Sequence, residues 1–150
     1  MYKTIILAAL CLVGTSVMAA DNGLARKKSH HSVTVTMDRL ENILKKKGIS
    51  VALRWKHSDK ANEVGVKLRD TEILIFGNPK MGSPLMMSNQ EIGIDLPMKA
   101  LAYEDEKGQV WLVYNKASYL KKRHGIKDKN LVFEKMAGAL DKMTTKAVSK

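Results

Sequence analysis

The spacing of apolar and polar positions changes several times along the chain, and each change marks an element. SVTVTM alternates, with Val33, Val35 and Met37 on one side, which predicts a first strand. In the overlapping stretch MDRLENILKKKG, Met37, Leu40, Ile43 and Leu44 recur at helical spacing. Thr36 or Asp38 can cap this helix, Lys45, Lys46 and Lys47 suit the negative end of its dipole, and Gly48 stops it. ISVALRWKH alternates again. Ile49, Val51, Leu53 and Trp55 share an apolar face, with His57 at the strand's end. SDKANEVGVKLRD has no clean period and predicts a short helix or a loop. TEILIFGN is apolar on both faces, as a central strand is. A long connection follows from Pro79 to about Pro97. MKALAYEDEKGQVWLVYNK then reads as a hairpin turning near Lys107-Gly108. SYLKKRHG is a short helix ended by Gly125, and a longer helix runs from about Leu131 to Val148. Phe133, Met136, Ala137, Leu140, Met143 and Ala147 form its stripe. Strand, helix, four strands and helices predict an α+β domain, a single twisted sheet with helices on one face.

The first residues, MYKTIILAALCLVGTSVMAA, follow a different rule. Lys3 precedes an apolar run from Ile5 to Val13, and Val17 and Ala19 stand where a signal peptidase wants small residues. Residues 1–19 are therefore expected to be a removed signal peptide, with cleavage after Ala19 or Ala20. The run is too short to span a bilayer. Residues 20–31 read as a flexible lead-in, and residues 32–150 as one domain. The product is expected in the periplasm or secreted. Cys11, the single cysteine, leaves with the signal. The mature chain then has no disulfide and no thiol nucleophile.

The formal charge is +11, and loss of Lys3 leaves +10. The lysines are spread along the chain, and aromatic residues make up 5% of it. That is a poor platform for base stacking, so nucleic acid is not an expected partner. Weak association with anionic surfaces is compatible with the charge.

GNPKMGSP, residues 77–84, has the glycine spacing of a phosphate-binding loop. Ser83 and Pro84 follow Gly82 where Lys and Ser/Thr are needed. The loop reading fails on that chemistry. Gly77 is expected to close a strand, Pro79 and Pro84 to stiffen a turn, and Gly82 to permit a bend.

TEILIFGNPKMGSPLM, GIDLPMKALAYEDEKGQVWLVYN and SYLKKRHGI together resemble the bacterial domain-of-unknown-function 302 family. The matching pieces are Phe76–Met86, Gly93–Pro97, Glu104-Asp105, Tyr114-Asn115 and Tyr119–Gly125. The resemblance implies a β-α-β(4)-α fold, similar to the TATA-binding-protein saddle, and a homodimer. It implies no reaction. Lys56-His57 stands where the family often has Asp-His, and Asn115-Lys116-Ala117 where it often has Asn, an acidic residue and Pro. An acidic role is therefore not expected at either place.

With strands three to five in a meander, one end of the sheet gathers Asn78, Asp95, Lys99, Tyr114, Asn115, Arg123 and His124. These could line a cleft for a polar or anionic small molecule, with His57 a further candidate. Alternatively, Asp95 and Arg123 form an ion pair and the others bond to the long loop. Met81, Met86, Met87 and Met98 fall in or beside one connection. Met86 and Met87 with His124 would suit Cu(I), His30-His31 a Cu(II) or Ni(II) tail; otherwise the methionines fill core gaps. No cofactor is identified. The first reading is a non-enzymatic, exported, homodimeric module binding a ligand or partner. The second is a copper-binding protein, and the third an enzyme with an Asp95/His124 acid–base pair.

Overall fold

The structure, a computed structural model, describes residues 21–150. The proposed signal lies outside them. Five strands form one antiparallel sheet: β1 (Leu24–Lys28), β2 (Ser50–Lys56), β3 (Thr71–Gly77), β4 (Met98–Glu104) and β5 (Val110–Asn115). Their spatial order is β1-β5-β4-β3-β2. The helices are α1 (Val33–Lys46), α2 (His57–Glu63), α3 (Pro79–Ser88), α4 (Ala117–Arg123) and α5 (Asn130–Val148), with a 3-10 turn at Gln90–Ile94. The chain is α+β, as expected.

The first strand is not where alternation placed it. Residues 33–37 open α1, because Val33, Met37, Leu40 and Leu44 also repeat at helical spacing and all four are fully buried. Ser32 caps the helix by accepting from the Val35 N–H. Val35, the residue that made the alternation, is exposed. The actual β1 lies inside the expected lead-in, so residues 24–28 are not flexible tail. LARKK pairs along one edge of the sheet with β5, Leu24 opposite Asn115 and Lys28 opposite Trp111. Charged edge strands discourage pairing with other chains, and here that charge hides the strand's pattern.

Alternate strand residues turn to the two faces. Leu74, Phe76, Met98, Ala100, Ala102, Val110, Leu112 and Tyr114 are buried beneath α1 and α5, which pack on each other and on this face. Phe133, Met136, Leu140, Met143 and Ala147 supply the buried stripe of α5. Ala137, expected in that stripe, is exposed. Among the described residues, α1 and α5 leave the opposite face uncovered. By register it carries Leu53, Trp55, Ile73, Ile75, Leu101, Val113, Trp111 and Tyr103, together with Arg26, Lys28 and Lys99. The face expected to be shared by Ile49, Val51, Leu53 and Trp55 is split by a bulge: Val51 pairs with Phe76 on the covered side, while Leu53 and Trp55 turn to the open face and stay 44% and 40% exposed.

The β4–β5 hairpin turns as expected. Gly108 has φ +74°, which a side chain would oppose. The Asp105 carboxylate accepts from the Lys107 and Gln109 N–H groups and from the Trp111 indole. These donors, the indole first, hold its pKa below the usual carboxylate range. The connection from Pro79 to Pro97 is helical where a turn was expected. Asn78 caps α3 by accepting from the Lys80 N–H, Pro79 takes the first turn, and Pro84 lies inside the helix.

Candidate functional site

The antiparallel register decides which candidates can meet. Gly77, Met98 and Asn115 lie at one end of the sheet, and Lys56 pairs with Glu72 towards the other. His57 opens α2 just beyond Lys56. It therefore stands at the far end from Asn78, Asp95 and His124, and leaves the candidate cleft. Tyr114 also leaves it, because its side chain is buried on the helix-covered face opposite Ala25 and Ala100. Lys99 projects from the open face, where its ammonium reaches only the Pro97 carbonyl, at 3.4 Å. Asn115 ends β5 on that same open face.

Asp95, Arg123 and His124 do come together. His124 Nε2 lies 2.6 Å from Asp95 Oδ2, and an Arg123 guanidinium nitrogen lies 3.4 Å from Oδ1. The His124 and Asp95 side chains are nearly buried, while Arg123 is exposed. Asn89 donates its side-chain amide to the His124 carbonyl at 3.0 Å. The group thus ties the end of α4 to the connection before β4. A shallow depression beside it is lined by Gln90, Glu91, Gly93, Ile94, Arg123 and His124. Asp95 is thus both Arg123's ion partner and His124's hydrogen-bond partner.

A mainly apolar opening lies elsewhere. A cavity of about 350 Å³ is enclosed by the start of β2, the end of β3, α3, the start of β4 and one side of α5. Met81, Met86, Met98, Met136 and Met143 line it, with Phe76, Leu96 and Leu140. Asn78, Ser50 and Ser83 supply its few polar side chains. Gly77 and Gly82, whose spacing imitated a phosphate loop, lie in this wall. A β-carbon on Gly77 would stand 3.2 Å from the Pro97 β-carbon, so the absence of a side chain lets β3 pass close to Pro97. Methionine suits such a wall because its unbranched thioether adapts to irregular space.

The copper set does not assemble as drawn. Met86 lines the cavity, Met87 is 86% exposed, and His124 is engaged by Asp95 beside another depression. Nor are His30 and His31 a loose tail. The His30 N–H donates to the Val148 carbonyl, and His31 Nε2 lies 2.7 Å from the Ser149 carbonyl oxygen. Among the described residues, no three His, Cys, Asp or Glu side chains cluster as a metal site.

Sequence reasoning missed Arg54. It turns towards the helices at the β2 edge and meets Glu72 at 2.5 Å, Asp38 at 2.6 Å and Glu41 at 3.1 Å. Glu72 is buried, so its carboxylate depends on this partner. The carboxylates, Glu72 first, raise the guanidinium pKa further above its ordinary value. Glu41 is held below its usual range by Lys45 first and Arg54 second. The signal that could have found Arg54 was a cation flanked by Leu53 and Trp55 in ISVALRWKH.

The family model described as "Domain of unknown function DUF302" matches residues 25–143. "Fluoride-specific ion channel FluC 1" of Brucella suis biovar 1 (strain 1330) is 43% identical over 106 residues, covering 71% of this chain and 42% of that protein. The protein of the same name from Brucella abortus biovar 1 (strain 9-941) is 43% identical over 106 residues, covering 71% and 39%. The chain therefore spans about two fifths of the length of these curated relatives. Among solved structures, an uncharacterized conserved protein DUF302 from Bacillus stearothermophilus superposes with a TM-score of 0.67 at 20% identity. That match covers 85% of this chain and 96% of the other, and it shows the fold.

Proposed function

The chain belongs to the domain of unknown function DUF302 family, and from that premise we propose that it is an exported, non-enzymatic, homodimeric module that binds a small apolar molecule in the methionine-lined cavity. One observation carries the reading. A space of about 350 Å³ lies between the sheet's end, α3 and α5, with mostly apolar walls and a few polar groups. Small-molecule sites generally have this character. The segment that forms one wall, Asn78 to Pro97, includes two of the pieces that resemble the family pattern, within Phe76–Met86 and Gly93–Pro97. Ion conduction, named for the Brucella proteins, is not part of the reading. Among the described residues, no helix is long and apolar enough to cross a membrane.

The test is native mass spectrometry of protein purified from its own compartment, followed by titration with N-phenyl-1-naphthylamine, an apolar probe that brightens when shielded from water. A dimer carrying an apolar adduct, and probe fluorescence lost in Ala139→Phe, are the expected results. Ala139 is an exposed wall residue, so the larger ring obstructs the space without entering the core. Probe binding that is indifferent to Ala139→Phe would remove the cavity from the account. A monomer would remove the dimer.

A second reading has its own support, because five thioethers around one space could hold Cu(I). Met86→Leu separates the two. It preserves volume, so the apolar probe should still bind while a Cu(I) adduct is lost.

A further inference from the structure

We propose that the open sheet face, together with the segment joining α2 to β3, docks on an anionic lipid surface. The described surface concentrates its exposed apolar side chains here. Leu53 and Trp55 stand on the uncovered face. Val64, Val66 and Leu68 follow α2 at 75%, 55% and 45% exposure. In that segment apolar and basic residues alternate, Val66-Lys67-Leu68-Arg69, and residues 66–69 have no strand partner. A folded chain rarely leaves so many large aliphatic side chains close in sequence to water without a use for them.

The strand residues of the face carry one sign of charge, and carboxylates stand at its margins, Asp105 on the Trp111 indole, Glu63 2.6 Å from Lys60 and Glu106 4.0 Å from Arg69. Those strand residues include Arg26, Lys28 and Lys99, and none of them is acidic. Glu72, the carboxylate of β3, turns to the other side and is held by Arg54. Three aromatic rings lie near cations, and Arg26 also donates to the Tyr103 hydroxyl. The Arg26 guanidinium is 5.8 Å from the centre of the Tyr103 ring and 5.5 Å from that of Trp111. The Lys28 ammonium is 5.5 Å from the Trp111 ring. At the other edge, Lys60 lies 5.5 Å from the Trp55 ring. Cations over amphipathic rings, beside exposed aliphatic side chains, match the headgroup boundary of a bilayer that carries negative lipid.

Charge also selects this occupant over a second copy. Two such faces laid together would gather two sets of Arg26, Lys28 and Lys99 into one interface. Nucleic acid would satisfy the charge and the rings, but it has no use for Leu53, Ile73, Ile75, Leu101, Val64, Val66 and Leu68.

The chain's two tryptophans, Trp55 and Trp111, both lie on this face, so intrinsic fluorescence reports on it directly. The mature protein would be mixed with vesicles of phosphatidylcholine alone and of phosphatidylcholine containing phosphatidylglycerol. Emission should move to shorter wavelength, and protein should sediment, only with the anionic vesicles. Changing Val64, Val66 and Leu68 together to Ser should weaken partition about tenfold or more, since exposed aliphatic area is lost. Lys28→Glu should weaken it by roughly fivefold or more. Lys142→Glu makes the same charge change on an exposed residue of α5, on the helix-covered side, and should weaken it much less. Circular dichroism melts of all three variants verify folding. No partition into anionic vesicles overturns the proposal. Equal losses in Lys28→Glu and Lys142→Glu reduce it to attraction by net charge and also overturn it. So does a blue shift that grows with protein concentration without lipid, which indicates a second copy, or one produced by a single-stranded oligonucleotide but not by vesicles.

Discussion

β2 passes two neighbourhoods that solve opposite problems. At Ser50 and Ala52 it borders the methionine-lined cavity, where apolar walls leave space unfilled. Two residues later Arg54 fills its surroundings with three carboxylates from α1 and β3. The cavity is soft, since thioethers re-pack at small cost. The Arg54 knot is stiff, since removing any member strands a charge. A bulge between Val51 and Leu53 separates the two, leaving Ala52 without a strand partner. The strand is thus pinned at one end and free to yield at the other, an arrangement that suits a cavity with variable contents.

The largest effect tests the pinned end. Arg54→Met should destabilise the fold by about 3 kcal/mol, because Glu72 keeps a buried charge without its partner. Adding Glu72→Met should restore much of that loss, and urea unfolding of the single and double variants reads both. If the single variant unfolds like the parent, Glu72 does not depend on Arg54.

A smaller effect follows from acid. Lys45, and then Arg54, depress the Glu41 pKa in the folded state. A depressed carboxylate contributes stability above its unfolded value, about 4.5, that is lost as pH falls through the folded value. The melting temperature should therefore decline below about pH 4.5, and Glu41→Gln should flatten part of that decline. Asp95→Asn probes a third neighbourhood and should cost about 1 kcal/mol, as His124 and Arg123 each lose a charge-assisted contact. At the soft end, Met86→Leu should cost less than about 1.5 kcal/mol. Met87→Leu, on a side chain outside the cavity, should stay within about 0.5 kcal/mol of the parent. A steep loss in Met86→Leu would mean that the wall is packed as tightly as the knot.

The two neighbourhoods also differ in how well the sequence reveals them. Met81, Met86 and Met98 draw notice together because one connection holds them, and Met136 and Met143 appear in the stripe of α5. Nothing local says that the two sets face each other across one space, because that depends on where α5 packs. The Arg54 knot is invisible for the same reason, joining residues 16 and 18 positions apart through tertiary placement. Local signals succeed where one element decides the outcome. Gly108 and the flanking alternation fix the hairpin, and Gly125 ends α4. They fail where two periods coexist. Val33, Val35 and Met37 satisfy period two, while Val33, Met37, Leu40 and Leu44 satisfy a helix, and Ser32's cap settles the matter. The expected meander puts Asp95 and His124 at one end of the sheet, and the ends of the 3-10 turn and of α4 bring them to 2.6 Å.

The sheet's last edge is closed by parts of the chain that are far apart in synthesis. Lys27 of β1 reaches Asp141 at 2.7 Å and Thr145 at 2.5 Å, and Arg39 donates to the carbonyls of Lys146, Ala147 and Ser149. These bonds of β1 and α1 can therefore form only after α5 has been made. Contacts of such long range slow folding, because a loop of more than a hundred residues must close first. Under the export proposed above, that delay would have a use. A domain whose beginning waits for its end would stay extended while it is threaded through a narrow channel, and would complete itself on the other side.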